Sequence, residues 1–566
     1  MDSERLYSKW ITFDEQTSNE LKGLTNKEIE DRFYKELTFG TGGIRGKVGA
    51  GTNRMNYYTV ARVTKGVAKY LIDNYNKPFV VIAYDSRRYS LEFTRLCYRI
   101  FISYGIKVKM FKRPTPTPIL SYAVRSLKAS LGIVITASHN PKEYNGYKVY
   151  SEDGGQITTN TTNEIYSYIC KEDYEYSGGY LLEERSKVTT SCIDYEYEYV
   201  DQHILDEYYN KVCNLSLNKE FVRKYADNIR IIYTPLHGTG GEAVGVVFNK
   251  LGFNNLLYVE SQFKPSSEFE TIRYPNPEEK EVFDLAIKLG REKLADILLA
   301  SDPDCDRVGV MVRNNHGDYI SLTGNEIGTL LTYYILTQLS SKGYIDKSYV
   351  VVKTIVTTDI VKDICWDFNV QMEEVLTGFK YIGEKIKDYE KENKKFIFGF
   401  EESYGYLAGD FVRDKDGVIA SLLISEMALY YKSMNMNLLE VLDKIYKKYG
   451  YYKEELLSFV LDGKTGANTI KEIMNNVRDG SFLNDSGFGN FMITDYNDGI
   501  DSLPSEDVVS IENYKGKITI RPSGTEPKIK FYLAARSKTS LETLEYISEF
   551  RKYINNFMES VHNIED

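Results

Sequence analysis

Apolar runs of strand length alternate along this chain with longer segments of helical period. Phe79-Val80-Val81-Ile82-Ala83 precedes Leu91 to Tyr104, and Asn228 to Tyr233 precedes Gly241 to Leu251. Such alternation predicts α/β units built on parallel or mixed sheets. Three of the runs end in polar loops too specific in chemistry to be plain connectors. Leu131 to Ile135 leads into Thr136-Ala137-Ser138-His139-Asn140-Pro141, Ile297 to Ala300 into Ser301-Asp302-Pro303-Asp304-Cys305-Asp306-Arg307, and Phe396 to Phe400 into Glu401-Glu402-Ser403-Tyr404-Gly405. Ligands of open α/β sheets bind beyond the carboxyl ends of strands. Three similar mixed-sheet α/β domains, each offering one loop to a shared cleft, are therefore expected. From about Asn437 the pattern changes, with helix-forming Leu438-Leu439-Glu440-Val441-Leu442 and later Lys517-Ile518-Thr519-Ile520-Arg521-Pro522-Ser523-Gly524-Thr525. This region predicts a separate C-terminal α+β domain. The expected divisions are 1–205, 206–322, 323–436 and 437–566.

Composition narrows the function classes. At 566 residues the chain exceeds what one hydrophobic core supports, so about three or four domains are expected. It carries 42% hydrophobic and 27% charged residues, the balance of an ordinary globular protein. With 71 Lys and Arg against 81 Asp and Glu the net charge is −10, so long-range attraction to nucleic acid or an anionic membrane is not expected. An anionic ligand must be held by local cations. Met1-Asp2-Ser3-Glu4-Arg5 leads into no apolar signal region, and no run approaches the length of a membrane span. The six cysteines form no CxxC pair, which reads as reduced structural thiols in a cytoplasmic protein. Five histidines leave little material for a multi-histidine metal centre, and the 48 tyrosines, as in Tyr195-Glu196-Tyr197-Glu198-Tyr199, read as amphipathic surface.

The loops suggest specific chemistry. A turn of this composition can simply close a buried strand, but Ser138 also sets a hydroxyl nucleophile where a phosphoryl group could be carried. Asp302, Asp304 and Asp306 alternate, so an extended loop would turn three carboxylates the same way. Such carboxylates repel unless a cation binds them, and oxygen-only ligands suit Mg²⁺. A calcium-sensing EF-hand is excluded, because Arg307 and Arg313 occupy the positions that require Gly and Glu. Arg307 can hold a phosphate oxygen beside the metal. Arg521, Ser523, Gly524 and Thr525 combine a guanidinium, hydroxyls and a freed backbone, the parts of a phosphate clamp or of an ordinary turn. Glu401 and Ser403 suit sugar hydroxyls. In Phe39-Gly40-Thr41-Gly42-Gly43-Ile44-Arg45-Gly46 glycines surround Arg45, another potential phosphate-facing cation.

In this order the motifs resemble those of the α-D-phosphohexomutases, and FGTGGIRGKVGAGTNRMN with TASHNPKEYNGYKVY is similar to their phosphoglucomutase and phosphopentomutase branch. The resemblance spans residues 39 to 532. It implies a heart-shaped enzyme of four domains around a central cleft, carrying in turn the phosphoserine, the metal, the sugar contacts and the phosphate contacts. Ser138 would be the phosphoserine, and would bind Mg²⁺ with Asp302, Asp304 and Asp306. Glu401 and Ser403 match the sugar loop, Arg521, Ser523, Gly524 and Thr525 the phosphate loop, and Thr377-Gly378-Phe379-Lys380 the loop that helps to select sugar orientation. Lys148 falls at a family lysine implicated in proton transfer, His139 and Arg45 match residues supporting the reacting phosphate, and Lys415 resembles a ligand-contacting lysine. Phe379 stands where relatives often carry tryptophan, and Cys305 where Gly or Ala is common.

The activity so implied is interconversion of glucose 1-phosphate and glucose 6-phosphate through phosphoserine and a glucose 1,6-bisphosphate intermediate, which also serves as activator. Arg521, Lys380 and Lys415 are expected to hold the distal phosphate in either sugar orientation. Small sugar phosphates are the expected partners of a monomer or dimer. Phosphopentomutase and phosphomannomutase activities share this chemistry, a phosphatase would release the phosphoryl group to water, and a non-catalytic sugar-phosphate-binding protein would keep the site without turnover.

Overall fold

A computed structural model describes residues 2–40, 42–174, 196–461, 463–483, 489–500, 503–523 and 528–565. The chain forms two compact units. One comprises Met1–Thr323, Ile382–Gly399 and Ser403–Asn435, the other Gly324–Tyr381, Phe400–Glu402 and Met436–Asp566. Among the described residues no helix is long and apolar enough to cross a membrane.

The first sheet contains β1 (Ile44–Lys47), β2 (Phe79–Tyr84), β3 (Lys107–Met110), β4 (Leu131–Ile135) and β5 (Tyr144–Ser151) in the order β1-β5-β4-β2-β3. β2 runs parallel to β3 and β4, whereas β5 is antiparallel to β4 and β1. The second sheet repeats this scheme with β6 (Ile231–Thr234), β7 (Leu256–Tyr258), β8 (Ile297–Ser301), β9 (Val308–Arg313) and β10 (Tyr319–Leu322), ordered β10-β9-β8-β6-β7. The third, β12-β11-β13-β14, is formed by β11 (Tyr349–Thr354), β12 (Gln371–Val375), β13 (Lys395–Glu401) and β14 (Gly405–Ala408). In each sheet the loop of chemical interest follows the same strand: β4, β8 and β13 each lie between a later and an earlier strand of their own sheet. Every residue of β4 and β8 is buried, which is why these central strands read as unbroken apolar runs rather than alternating ones.

The fourth sheet is antiparallel, β15 (Tyr451–Val460), β19 (Lys528–Ser537), β18 (Gly516–Pro522), β17 (Val509–Asn513) and β16 (Met492–Asp495) in that order. Here the apolar period is two. Ile511 stands opposite Ile518, Ile518 opposite Leu533 and Ile520 opposite Phe531, and this face packs on Phe550 and Ile554 of the final helix. Each such fully buried side chain contributes about 1.5–3 kcal/mol. This is the α+β region that the sequence predicts.

One local expectation changes, and the amino terminus adds a core of its own. The helices Ser3–Trp10, Glu15–Leu21 and Asn26–Phe33 enclose a separate small core of Trp10, Leu21, Phe33, Ala50 and Tyr58. Residues 196–200 are more than amphipathic surface. Glu198 and Val200 exchange backbone hydrogen bonds with Met110 at 2.9 and 3.0 Å, and Tyr197 sets its ring 5.0 Å from that of Tyr98, so this stretch lengthens the edge beside β3. Tyr195 lies outside the described residues.

Candidate active site

The buried β4 delivers Ser138 into a turn. The Ser138 backbone is left-handed, with φ of +52°, and the residue is nearly enclosed at 3% exposure. Ser138 Oγ donates to Asp302 Oδ2 at 2.8 Å and lies 3.1 Å from His139 Nδ1. Burial, with the nearby cations Arg307, Arg45 and Arg87, holds His139 well below its ordinary pKa, so its ring is neutral at physiological pH. The glycine-rich segment lies alongside. Gly43 has φ of +83°, and a Cβ there would sit 1.8 Å from the Tyr147 carbonyl oxygen. Only glycine permits that approach. It lets β1 pair with β5 and carries Arg45 to Asn140, whose Oδ1 accepts from Arg45 Nη1 at 2.7 Å. Thr41 of this segment lies outside the described residues.

Asp302, Asp304 and Asp306 converge, their ligand oxygens all within 4.8 Å of one another. They do so through a tight turn rather than the extended loop expected from their spacing. Cys305 takes φ of +54°, its N–H donates to the Asp302 carbonyl, and the Asp306 and Arg307 N–H groups donate to Asp302 Oδ1 at 3.1 Å. Lys148, projecting from β5, donates to Asp304 Oδ2 at 2.7 Å and Asp306 Oδ2 at 3.2 Å. Burial opposes its charge, but the two carboxylates prevail and raise its pKa. Burial and the neighbouring Asp306 and Asp304 push Asp302 well above the carboxylate range. Asp306 is held low despite burial by Lys148, Lys415 and Arg307. Asp304 Oδ1 and Asp306 Oδ1 are buried without a hydrogen-bond donor among the described residues. Three crowded carboxylates, one pushed towards protonation and two with an oxygen undonated, fit a hard divalent cation.

The cations differ in their surroundings from what was expected. Arg307 Nη1 is engaged by Glu278 at 2.8 Å. Lys415, expected beside the distal phosphate, places its ammonium 3.3 Å from Asp306 Oδ2 and from Asp414 Oδ1. Ser403 occupies the turn before Tyr404, whose carbonyl accepts from Val308 N at the start of β9.

In the second unit, Glu401 closes β13 and is buried. Thr377 Oγ1 is buried with no hydrogen-bond partner among the described residues, Gly378 takes φ of +119°, and Lys380 sets its ammonium 4.4 Å over the Tyr381 ring. Arg521 lies one residue before the end of β18 and donates through Nε and Nη2 to Glu506 Oε1 at 3.1 and 2.8 Å. Ser523 donates its N–H to the Lys528 carbonyl at 2.7 Å. Gly524 and Thr525 lie outside the described residues.

Residues 36–176, 206–317 and 323–449 match the alpha/beta/alpha domains I, II and III of phosphoglucomutase/phosphomannomutase, and 470–546 match its C-terminal domain. The chain belongs to the phosphoglucomutase/phosphomannomutase family. It is 36% identical over 531 residues to a phosphoglucomutase of Staphylococcus haemolyticus, covering 92% of this chain and 93% of that one. It is 37% identical to a phosphoglucomutase of Staphylococcus aureus, covering 90% and 92%. Among solved structures it resembles the open form of the exocytosis-sensitive phosphoprotein parafusin, a phosphoglucomutase from Paramecium, with TM-score 0.70, 20% identity and coverage of 92% and 94%. A phosphoglucomutase/phosphomannomutase family protein of Burkholderia thailandensis gives TM-score 0.64 at 16% identity, covering 92% and 97%.

Several residues of this phosphohexomutase escape a reading of the sequence. Thr117 donates to Asp304 Oδ2 at 2.9 Å, Asp85 and Arg87 underlie the Ser138 turn, and Asp416 ties the Asp302–Arg307 loop to a helix. Asp85-Ser86-Arg87 follows β2, the parallel neighbour of β4, so the rule of strand ends could have found it. Asp416 caps the helix Gly417–Lys432, accepting from Val418 and Ile419 N at 2.9 Å and from Tyr208 at 2.7 Å, while Gly417 N donates to the Cys305 carbonyl. Burial pushes the Asp416 carboxyl up to about 7 against its hydrogen bonds. Its folded value thus lies above that of the unfolded chain, so folding takes up a proton between about pH 4 and 7 and stability falls as pH rises through that window. Asp416→Asn keeps a capping acceptor and removes the titration. Its thermal midpoint is expected to decline less than that of the parent between about pH 5 and pH 8, and equal declines would refute the assignment.

Proposed function

We propose that this phosphohexomutase interconverts glucose 1-phosphate and glucose 6-phosphate, carrying a phosphoryl group on Ser138 and passing through glucose 1,6-bisphosphate. The observation that carries this reading is the enclosed Ser138 hydroxyl hydrogen-bonded to an aspartate of a carboxylate triad that Lys148 also serves. Asp302, Asp304, Asp306 and Ser138 Oγ would hold Mg²⁺, which would neutralise charge on the transferring phosphoryl group.

The chain's own groups manage the proton. When the bond from Ser138 Oγ to phosphorus breaks and one to a sugar oxygen forms, the sugar hydroxyl proton must leave and Oγ must gain one. His139, 3.1 Å from Oγ, and Lys148, beside Asp304 and Asp306, are the groups that would exchange the protons of the attacking and leaving hydroxyls. The return step reverses both. Arg45 and Arg307 support the reacting phosphate, Glu401 and Ser403 bind sugar hydroxyls, Thr377, Gly378 and Lys380 select sugar orientation, and Arg521 with Ser523, Gly524 and Thr525 holds the distal phosphate. Lys415 contributes by its charge on Asp306. The described cysteines are free thiols, which suits a reducing cytoplasm.

A coupled assay of glucose 6-phosphate formed from glucose 1-phosphate tests the reading. Activity is expected to require Mg²⁺ and bisphosphate, to vanish with chelator, and to fall about 100-fold or more in Asp304→Asn. Metal-independent activity would refute the metal assignment. Faster turnover of mannose 1-phosphate or ribose 1-phosphate would reassign the sugar, and release of inorganic phosphate equal to substrate consumed would make the chain a phosphatase.

A further inference from the structure

We infer that Arg87, with Asp85 and Thr136, is the positioning device that holds Ser138 ready to carry its phosphoryl group; the inference rests on the function proposed above. Ser138 occupies the left-handed region, which costs a non-glycine residue about 1–2 kcal/mol and persists only where the surroundings over-determine it. Arg87 supplies that constraint. Its side chain is fully buried, and its guanidinium donates to four carbonyls of the turn: Nη2 to Ser138 and Asn140, Nη1 to Pro141 at 2.8 Å and Tyr144 at 3.1 Å. The turn is thereby wrapped around one planar cation.

A second arm closes the circuit. Ser138 N donates to Thr136 Oγ1 at 2.8 Å, and Thr136 Oγ1 donates to Asp85 Oδ2 at 2.6 Å. That same carboxylate oxygen lies 3.2 Å from Arg87 Nε, while Asp85 Oδ1 accepts from Arg87 N at 2.9 Å and Ser90 Oγ at 2.7 Å. Asp85 and Thr136 leave the paired ends of β2 and β4, so the sheet sets the distance between them. Beyond the turn, the guanidinium carbon stands 5.3 Å from the centroid of the Phe269 ring, which caps its open face. Both terminal nitrogens are spent on carbonyls. Arg87 therefore acts through the backbone of Ser138 and not on the phosphate.

The test measures single-turnover transfer from glucose 1,6-bisphosphate to the full-length dephosphorylated chain by intact mass, beside steady-state kinetics and thermal midpoints. Transfer forms the Oγ–P bond, breaks a sugar O–P bond and moves the serine proton to the sugar oxygen. Arg87→Lys cannot span four carbonyls with one ammonium, and Thr136→Val keeps the shape of threonine without its hydroxyl. A misplacement of about 1 Å costs on the order of 100-fold, so both variants are expected to slow transfer by about that factor, with KM for glucose 1-phosphate within about threefold. Thr136→Ser, which restores the hydroxyl, is expected to return to within about threefold of the parent rate. Should Arg87→Lys fail to fold, the threonine pair decides alone. Parent-like transfer in Thr136→Val, equally slow transfer in Thr136→Ser, or a loss confined to KM would overturn the positioning role. A parent chain that accepts no phosphoryl group on Ser138 would overturn the underlying function as well.

Discussion

Replacing Ser138 by alanine is expected to reduce mutase turnover by about four orders of magnitude or more, the scale on which removal of a covalent nucleophile acts. Among the described residues no other hydroxyl is presented to the carboxylate triad in the same way: Thr117 also bonds Asp304, but its own backbone N–H is committed to the Asp304 carbonyl, which fixes it as a support. The variant should fold. Alanine adopts the left-handed conformation at a similar cost to serine, and Arg87 and Thr136 still grip the backbone on either side. The loss to structure is one hydrogen bond to Asp302, worth about 1–3 kcal/mol. Substrate binding should persist, because the groups proposed for the sugar and the distal phosphate are untouched. Coupled assays and isothermal titration with glucose 1-phosphate, on a chain purified from a host lacking its own mutase, would check both halves. Retained turnover would end the phosphoserine assignment.

For Lys148→Met the expected fall in kcat is about 10²–10⁴-fold, the usual worth of a positioned proton donor. Lys148→Arg separates charge from proton transfer. Arginine preserves the cation beside Asp304 and Asp306 yet does not release a proton near neutrality, so it should be nearly as inactive as methionine. Recovery of activity in the arginine variant would show that Lys148 serves only to balance charge. The methionine variant should also melt at a lower temperature without metal, since removing one partner of a buried ion pair costs about 3–5 kcal/mol. Added Mg²⁺ should restore much of that loss by replacing the missing positive charge, a shift readable in thermal melts without any assay of turnover.

What could be read from the sequence follows from how local each signal is. Ser138, the three aspartates and Glu401 lie within a few residues of an apolar run, so the run and the polar loop together announce a strand end. The alternation of strands and helices likewise announces α/β domains and a different fourth region. Pairing order has no such local mark. That β4, β8 and β13 occupy equivalent places in their sheets emerges only from the register of strands far apart in the chain. Arg87 escapes for a related reason: its partners are main-chain carbonyls more than fifty positions away, and carbonyls carry no residue identity. Lys415 and Arg521 were recognisable as cations, but the carboxylates that receive them, Asp306 and Glu506, come from other loops. The three aspartates were expected to align by extension, whereas the left-handed Cys305 brings them together by turning.

The enclosure of Ser138 also decides who can phosphorylate it. A protein kinase must draw its target residue into its own cleft as an extended, accessible strand, and here the residue is sunk to 3% exposure with its neighbours pinned by a buried guanidinium. The folded chain presents no such extended, accessible target at Ser138. In the proposed cycle the modification would be written by a small metabolite from within, so a newly synthesised molecule would stay silent until it met a bisphosphorylated sugar, and the supply of that compound would set how much of the population is awake.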